Sequence, residues 1–165
     1  MKDAQPGLKA WRDEIDADFE VVHKIQENPN DAGAQHASLK VHWSSINLPS
    51  TAWMTAQSTG ALAYMPYEEA ERYSSIYQAQ AALLAMQNKP AEDVVGILGL
   101  VARYNVHSGP SSMITVEQAG ALMERFGQMR VHLLNGDLLL RESIEESQAF
   151  LENRKPKTDF NESLN

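Results

Sequence analysis

A chain of 165 residues has the length of one domain and can bury about two-thirds of its unfolded surface. Its net charge of −8 argues against sequence-independent nucleic-acid binding, which needs Lys and Arg to displace counterions from phosphates, and against adhesion to an anionic bilayer. The absence of cysteine excludes disulfides, thiolate catalysis and Cys-ligated zinc.

The longest apolar run, Val94 to Ala102, carries Gly96 and Gly99 and falls well short of the roughly 20 residues that a bilayer demands, so no direct membrane insertion is expected. The first residues, M-K-D-A-Q-P-G, lack the basic-then-apolar layout of a signal peptide.

The first helix is predicted from Leu8 to Gln26. Leu8, Trp11, Ile15, Phe19, Val22 and Ile25 recur at spacings of three and four, which places them on one face. Pro6 and Gly7 precede it and N-P-N-D-A-G, Asn28 to Gly33, stops it. Asp13, Glu14, Asp16, Asp18 and Glu20 read as a solvated face. From 28 to 50 the pattern is irregular. Ala34 to Lys40 allows a turn or two of helix, and the rest is expected to lay Trp43, Ile46 and Leu48 over the core.

A short helix follows from Thr51 to about Thr59, with Ser50 as N-cap and Gly60 ending it. Pro66 suits the first turn of the next helix, with Glu68 and Glu69 near its positive end. That helix carries Tyr73, Ile76, Tyr77, Gln80, Leu83 and Leu84 as far as Gln87, where Asn88-Lys89-Pro90 breaks it. Pro90 opens the next, with Glu92 and Asp93 in its first turn and Val94, Ile97, Leu98 and Val101 facing inward. Ser108-Gly109-Pro110 ends it.

The last helix is the longest, at about 116–152. Thr115 with Gln118 makes a capping box, and Leu122, Phe126, Met129, Leu133, Leu140, Ile144 and Leu151 hold a stripe close to 3.5 residues. Asn135-Gly136-Asp137 interrupts it, yet an isolated Gly costs only about 1 kcal/mol in a helix, which favours one continuous or kinked element. Gly120 and Gly127 here, and Gly96 and Gly99 before, suggest close packing of these two helices. The fold class is therefore all-α: a bundle of four main helices plus one short one in a single domain over 1–153, with a polar tail over 154–165.

No catalytic constellation stands out. Ser44-Ser45, Ser74-Ser75 and Ser111-Ser112 lack the frame of a nucleophile elbow, and no glycine loop cradles a phosphate, so no cofactor is expected. Glu20 and His23 share the Glu-x-x-His spacing of bundle metal sites, but the second copy is missing: no correctly spaced Glu precedes His36, His42, His107 or His132. His36 and His42, six apart, match no metal spacing. The aromatic group Trp53, Tyr64, Tyr67, Tyr73 and Tyr77 admits two readings: an apolar pocket for a small ligand, using Trp53, Gln57, Tyr73 and Tyr77, or a hub on which helices pack. Rings at helical spacing favour the hub.

The stretch from Trp53 to Tyr77 resembles a recurring segment of a family of uncharacterised bacterial helical proteins: a Trp, then A-Q-x-T-G-A-L, a Met-Pro turn, an acidic helix start and R-Y-x-x-x-Y. Trp53, Ala56, Gln57, Thr59, Gly60, Ala61, Leu62, Met65, Arg72, Tyr73 and Tyr77 carry the match. Members usually begin with one membrane-spanning helix, absent from this chain. The resemblance therefore implies the soluble domain of an anchored protein on the periplasmic side of the inner membrane, or else a free cytoplasmic relative. The expected function is a non-enzymatic interaction domain that self-associates through the long C-terminal helix, the stripe being more than one short intramolecular partner would cover. A small-molecule binding or sensing bundle and a bundle metalloprotein are the alternatives.

Overall fold

A computed structural model of the chain describes residues 4–104 and 113–157. Six α-helices and one 3-10 turn make up the regular structure, with no strand among the described residues: α1 Ala4–Glu27, α2 Ala32–Gln35, α3 Thr51–Ser58, the 3-10 turn Ala61–Tyr64, α4 Tyr67–Met86, α5 Asn88–Arg103 and α6 Val116–Leu151. The all-α class and the long final helix are as the sequence predicts. The expected stop at Ser108-Gly109-Pro110 lies outside the described residues, as do His107, Ser111 and Ser112.

The described residues group into two compact units. One takes 6–45 with 88–134; the other takes 4–5 and 46–87 with 135–157. Each unit draws on separate stretches of chain, and α6 passes from the first into the second at Leu134–Asn135.

In the first unit, Trp11, Ile15, Val22 and Ile25 of α1 enclose a core with Val94, Ile97 and Val101 of α5 and Leu122, Phe126, Met129 and Leu133 of α6. Leu98, expected inward, is exposed instead. Helix α1 starts at Ala4 rather than after Gly7. Pro6 thus falls in the first turn, where its missing N–H is one that has no intrahelical partner anyway. Asp18 does not belong to a solvated face: it is buried, and its carboxylate accepts the Lys40 backbone N–H at 2.8 Å. Burial drives its pKa above the usual carboxylate value, against the lowering effect of that hydrogen bond.

The irregular stretch after α2 is held by side chains. The Trp11 indole donates to the His42 carbonyl at 3.1 Å. The Gln35 amide accepts from the Ile114 N–H at 2.8 Å and donates to the Ile114 and Pro29 carbonyls at 2.9 and 3.0 Å. Trp43, expected over the core, is 52% exposed, because the backbone rather than its ring is what anchors this stretch.

In the second unit, Leu48, Ile76, Leu83, Leu140, Ile144 and Ala149 are the buried apolar residues. The Gln87 amide grips Ile46 on both sides, accepting its N–H at 2.9 Å and donating to its carbonyl at 3.2 Å. Asn88-Lys89-Pro90 does not separate two helices by a loop; Asn88 begins α5 directly after Gln87, so Glu92 and Asp93 lie beyond the first turn.

The capping box forms as predicted. The Thr115 N–H reaches the Gln118 side chain at 3.0 Å, and the Gln118 N–H reaches the Thr115 hydroxyl at 3.2 Å. Helix α6 then runs unbroken through Asn135-Gly136-Asp137 for 36 residues. Leu122, Phe126, Met129, Leu133, Leu140 and Ile144 are all buried within the one chain, whereas Leu151 is 81% exposed. Helices α5 and α6 share the core as expected, but the glycines are not what brings them together. A Cβ on Gly96 would meet only the Arg125 side chain, one on Gly120 only Gln26, and those on Gly99 and Gly127 nothing within 4 Å.

Candidate functional site

The aromatic stretch that the sequence singles out builds an open groove between α3 and α4. Its corner is set at Gly60, whose φ of 71° and ψ of 13° place it in the left-handed region that glycine enters without strain. The 3-10 turn Ala61–Tyr64 follows, and Pro66 leads into α4 in extended conformation. Ser50 occupies the N-cap position of α3 but makes no side-chain cap; its hydroxyl lies 3.6 Å from the Met54 sulfur.

This corner brings Trp53 of α3 against Tyr77 of α4, the rings stacked with centroids 4.9 Å apart and planes within 9°. Such a pair is worth about 0.5–1.5 kcal/mol beyond the area it buries. Beside it lies a cavity of about 320 Å³, bordered among others by Trp53, Gln57, Ser74, Tyr77, Gln80 and Leu84. Every residue of its lining is uncharged. The Trp53 indole N–H, the Tyr77 hydroxyl and the amides of Gln57 and Gln80 take no hydrogen-bond partner among the described residues. Ser74 and Gln78 are joined, the amide donating to the hydroxyl at 3.2 Å.

Three of the four expected ligand residues, Trp53, Gln57 and Tyr77, therefore meet. Tyr73 does not join them. It packs on Phe150 of α6 with centroids 4.6 Å apart, beside Arg72, whose guanidinium lies 5.0 Å from the same ring. A spacing of four sets two rings on one face, but one turn also separates them by about 6 Å along the axis, and here each meets a different neighbour. The sequence reading missed Ser74, Gln78 and Gln80 as groove residues. The signal was an uncharged row on α4 (Ser74, Tyr77, Gln78, Ala81, Leu84) at spacings of three and four.

Arg72 has a different task. It donates to the carbonyls of Ala149 and Phe150 at 3.0 and 3.3 Å and to the Asn153 side chain at 2.8 Å, capping the end of α6. There Glu145 binds the Arg154 guanidinium and accepts the Lys157 N–H at 2.8 Å, and the arginine holds its pKa down at about 2.

Glu20 and His23 sit on exposed or half-buried parts of α1. His23 stacks on Phe19 and faces Glu27 at 3.7 Å, and no group of three or more metal-ligating side chains gathers among the described residues. His36 and His42 are exposed; Glu14 lies 3.3 Å from the His42 ring. Asp93, buried on α5, meets His132 of α6 at 2.6 Å. In a second cleft, lined among others by Arg12, Asp16, Phe19 and Arg130, Asp16 and Arg130 pair at 2.6 Å, and that guanidinium lies over the Phe19 ring. No described helix is long and apolar enough to cross a membrane.

No family model matches this chain, and neither the curated proteins nor the solved structures compared with it offer a match.

Proposed function

We propose that this protein is a non-enzymatic binding domain that holds a small uncharged molecule in the groove between α3 and α4. One observation carries the reading: Trp53 and Tyr77, which a packing hub would close over, border an open groove with no charged residue in its lining. Small-ligand sites have this make-up, apolar and aromatic surface with a few placed polar groups. A charged ligand would lose its hydration there without meeting an opposite charge. The two serines of the lining, Ser50 and Ser74, have no histidine or carboxylate beside them in it, so the groove offers no general base.

The test is a screen of uncharged small molecules against the ¹⁵N-labelled protein, following the Trp53 indole N–H signal. Binders are expected to shift it saturably, and Trp53→Ala to weaken their effect on the remaining signals by about tenfold while the helical circular dichroism persists. An indole signal that no compound moves would remove the reading.

Self-association is the second reading. The stripe of α6 is buried within the chain, so its support now lies elsewhere, in Met54, Tyr64 and Tyr67, which are 62%, 92% and 80% exposed along one short segment. Light scattering decides it: a monomer at tens of micromolar ends this reading. The resemblance of the Trp53–Tyr77 stretch supports a domain tethered at the periplasmic face of a membrane by a segment outside this chain, which the genomic reading frame upstream of Met1 tests.

A further inference from the structure

Resting on the α3–α4 groove as a binding site, we infer that its ligand is a neutral saccharide. Three features of the lining converge on that chemistry. First, no side chain in it is charged, which disfavours sugar acids, amino sugars, nucleotides and amino acids alike. Second, the polar groups without a protein partner are mixed in kind. The Trp53 indole only donates, the Tyr77 hydroxyl does both, and the Gln57 and Gln80 amides each offer two donors and an acceptor. These groups are open to water, and a ligand with several groups that both donate and accept, as vicinal hydroxyls do, can replace that water at each of them. Third, Trp53 and Tyr77 already stack on each other at 4.9 Å, which leaves no slot between them for a planar heteroaromatic ring. What the groove offers instead is an aromatic surface flanked by hydrogen-bonding groups. The negative face of an aromatic ring attracts the weakly positive C–H bonds on one side of a pyranose, while the hydroxyls at the sugar's edge reach the amides.

The experiment is calorimetric and NMR titration of the full chain with glucose and cellobiose, and in parallel with glucuronate and glucosamine. Neutral sugars are expected to bind in the millimolar range and to shift the Trp53 indole signal, cellobiose more tightly than glucose, with the two charged sugars weaker. Trp53→Ala is expected to weaken cellobiose by about tenfold through loss of the ring surface. Gln57→Leu, an exposed change that leaves the stack intact, is expected to weaken it by about fivefold through loss of hydrogen bonds. Equal or tighter binding of glucuronate or glucosamine overturns the proposal, and so does cellobiose binding indifferent to Gln57→Leu. If no sugar binds while other uncharged compounds move the Trp53 signal, the saccharide proposal falls and the groove stands. If nothing moves it, both fall together.

Discussion

Asp18 is the residue whose surroundings depart furthest from its sequence neighbourhood. Four other acidic residues surround it in the sequence, yet it lies three after Ile15 and four before Val22, both buried, and so shares their face. Spacing therefore does place it inward. What spacing does not contain is the Lys40 N–H that it binds 22 residues away. Because burial raises its pKa, the charged form is the strained one, and stability linked to this group falls as pH rises from the unfolded carboxylate value through the raised folded one. Asp18→Asn keeps an acceptor for Lys40 without the charge and is expected to leave the melting temperature at pH 7 unchanged or higher. Asp18→Ala strands the N–H and is expected to cost about 1–3 kcal/mol in urea unfolding. Gln35 and Gln87 follow the same logic. Each amide pairs with both backbone groups of one distant residue, Ile114 and Ile46, and Gln35→Ala is expected to cost about 1–3 kcal/mol by the same measurement. A glutamine with a loop partner 79 residues on looks in sequence like any other surface amide.

At the level of elements, helix type and extent were legible wherever local chemistry decides them. The Thr115–Gln118 box starts α6, Gly60 ends the approach from α3, and Pro66 opens α4. Local chemistry also misled at Asn88-Lys89-Pro90, because proline within a first turn is compatible with a helix that starts at once. Three of the four expected groove residues came together; Tyr73 went astray because the neighbour that a helix face meets one turn away is a tertiary fact. Two glycines separate the kinds of backbone demand. Gly60 holds a φ of 71°, so Gly60→Ala is expected to destabilise by about 1–2 kcal/mol. Gly136 lies within α6 with nothing within 4 Å of an added Cβ, so Gly136→Ala is expected to stabilise by about 0.5–1 kcal/mol. Thermal melts of the pair read both signs. The end of α6 has its own acid response. Glu145 is held at about 2, below its ordinary 4.5, so the stability it lends is whole above the ordinary value and lost as pH falls toward the folded one. Protection of the Lys157 amide, its exchange rate set against that of an unstructured chain at the same pH, is expected to fall between those limits, and Glu145→Gln to remove the pH step.

For the molecule as a whole, class was readable and organisation was not. Heptad-like spacing identified the large apolar residues that α6 buries, Leu122, Phe126, Met129, Leu133, Leu140 and Ile144, and passed over Ala119, Asp137, Ser143 and Ala149, which are buried too. The same spacing gave no way to tell whether a neighbouring helix or a second copy would cover them; within this chain they are covered. Phe126→Ala is accordingly expected to cost about 3–5 kcal/mol as a cavity in the core of α1, α5 and α6, measured by chemical unfolding.

The interleaving of the two units also sets a timetable. On a ribosome adding about 5–20 residues per second, α1 is complete some sixty residues before α5 begins, so its apolar face stays without its partners for roughly 3–12 s, longer until α6 emerges. During that interval Trp11, Ile15, Val22 and Ile25 are a sticky strip on a nascent chain, open to whatever holdase or neighbouring polypeptide reaches it first.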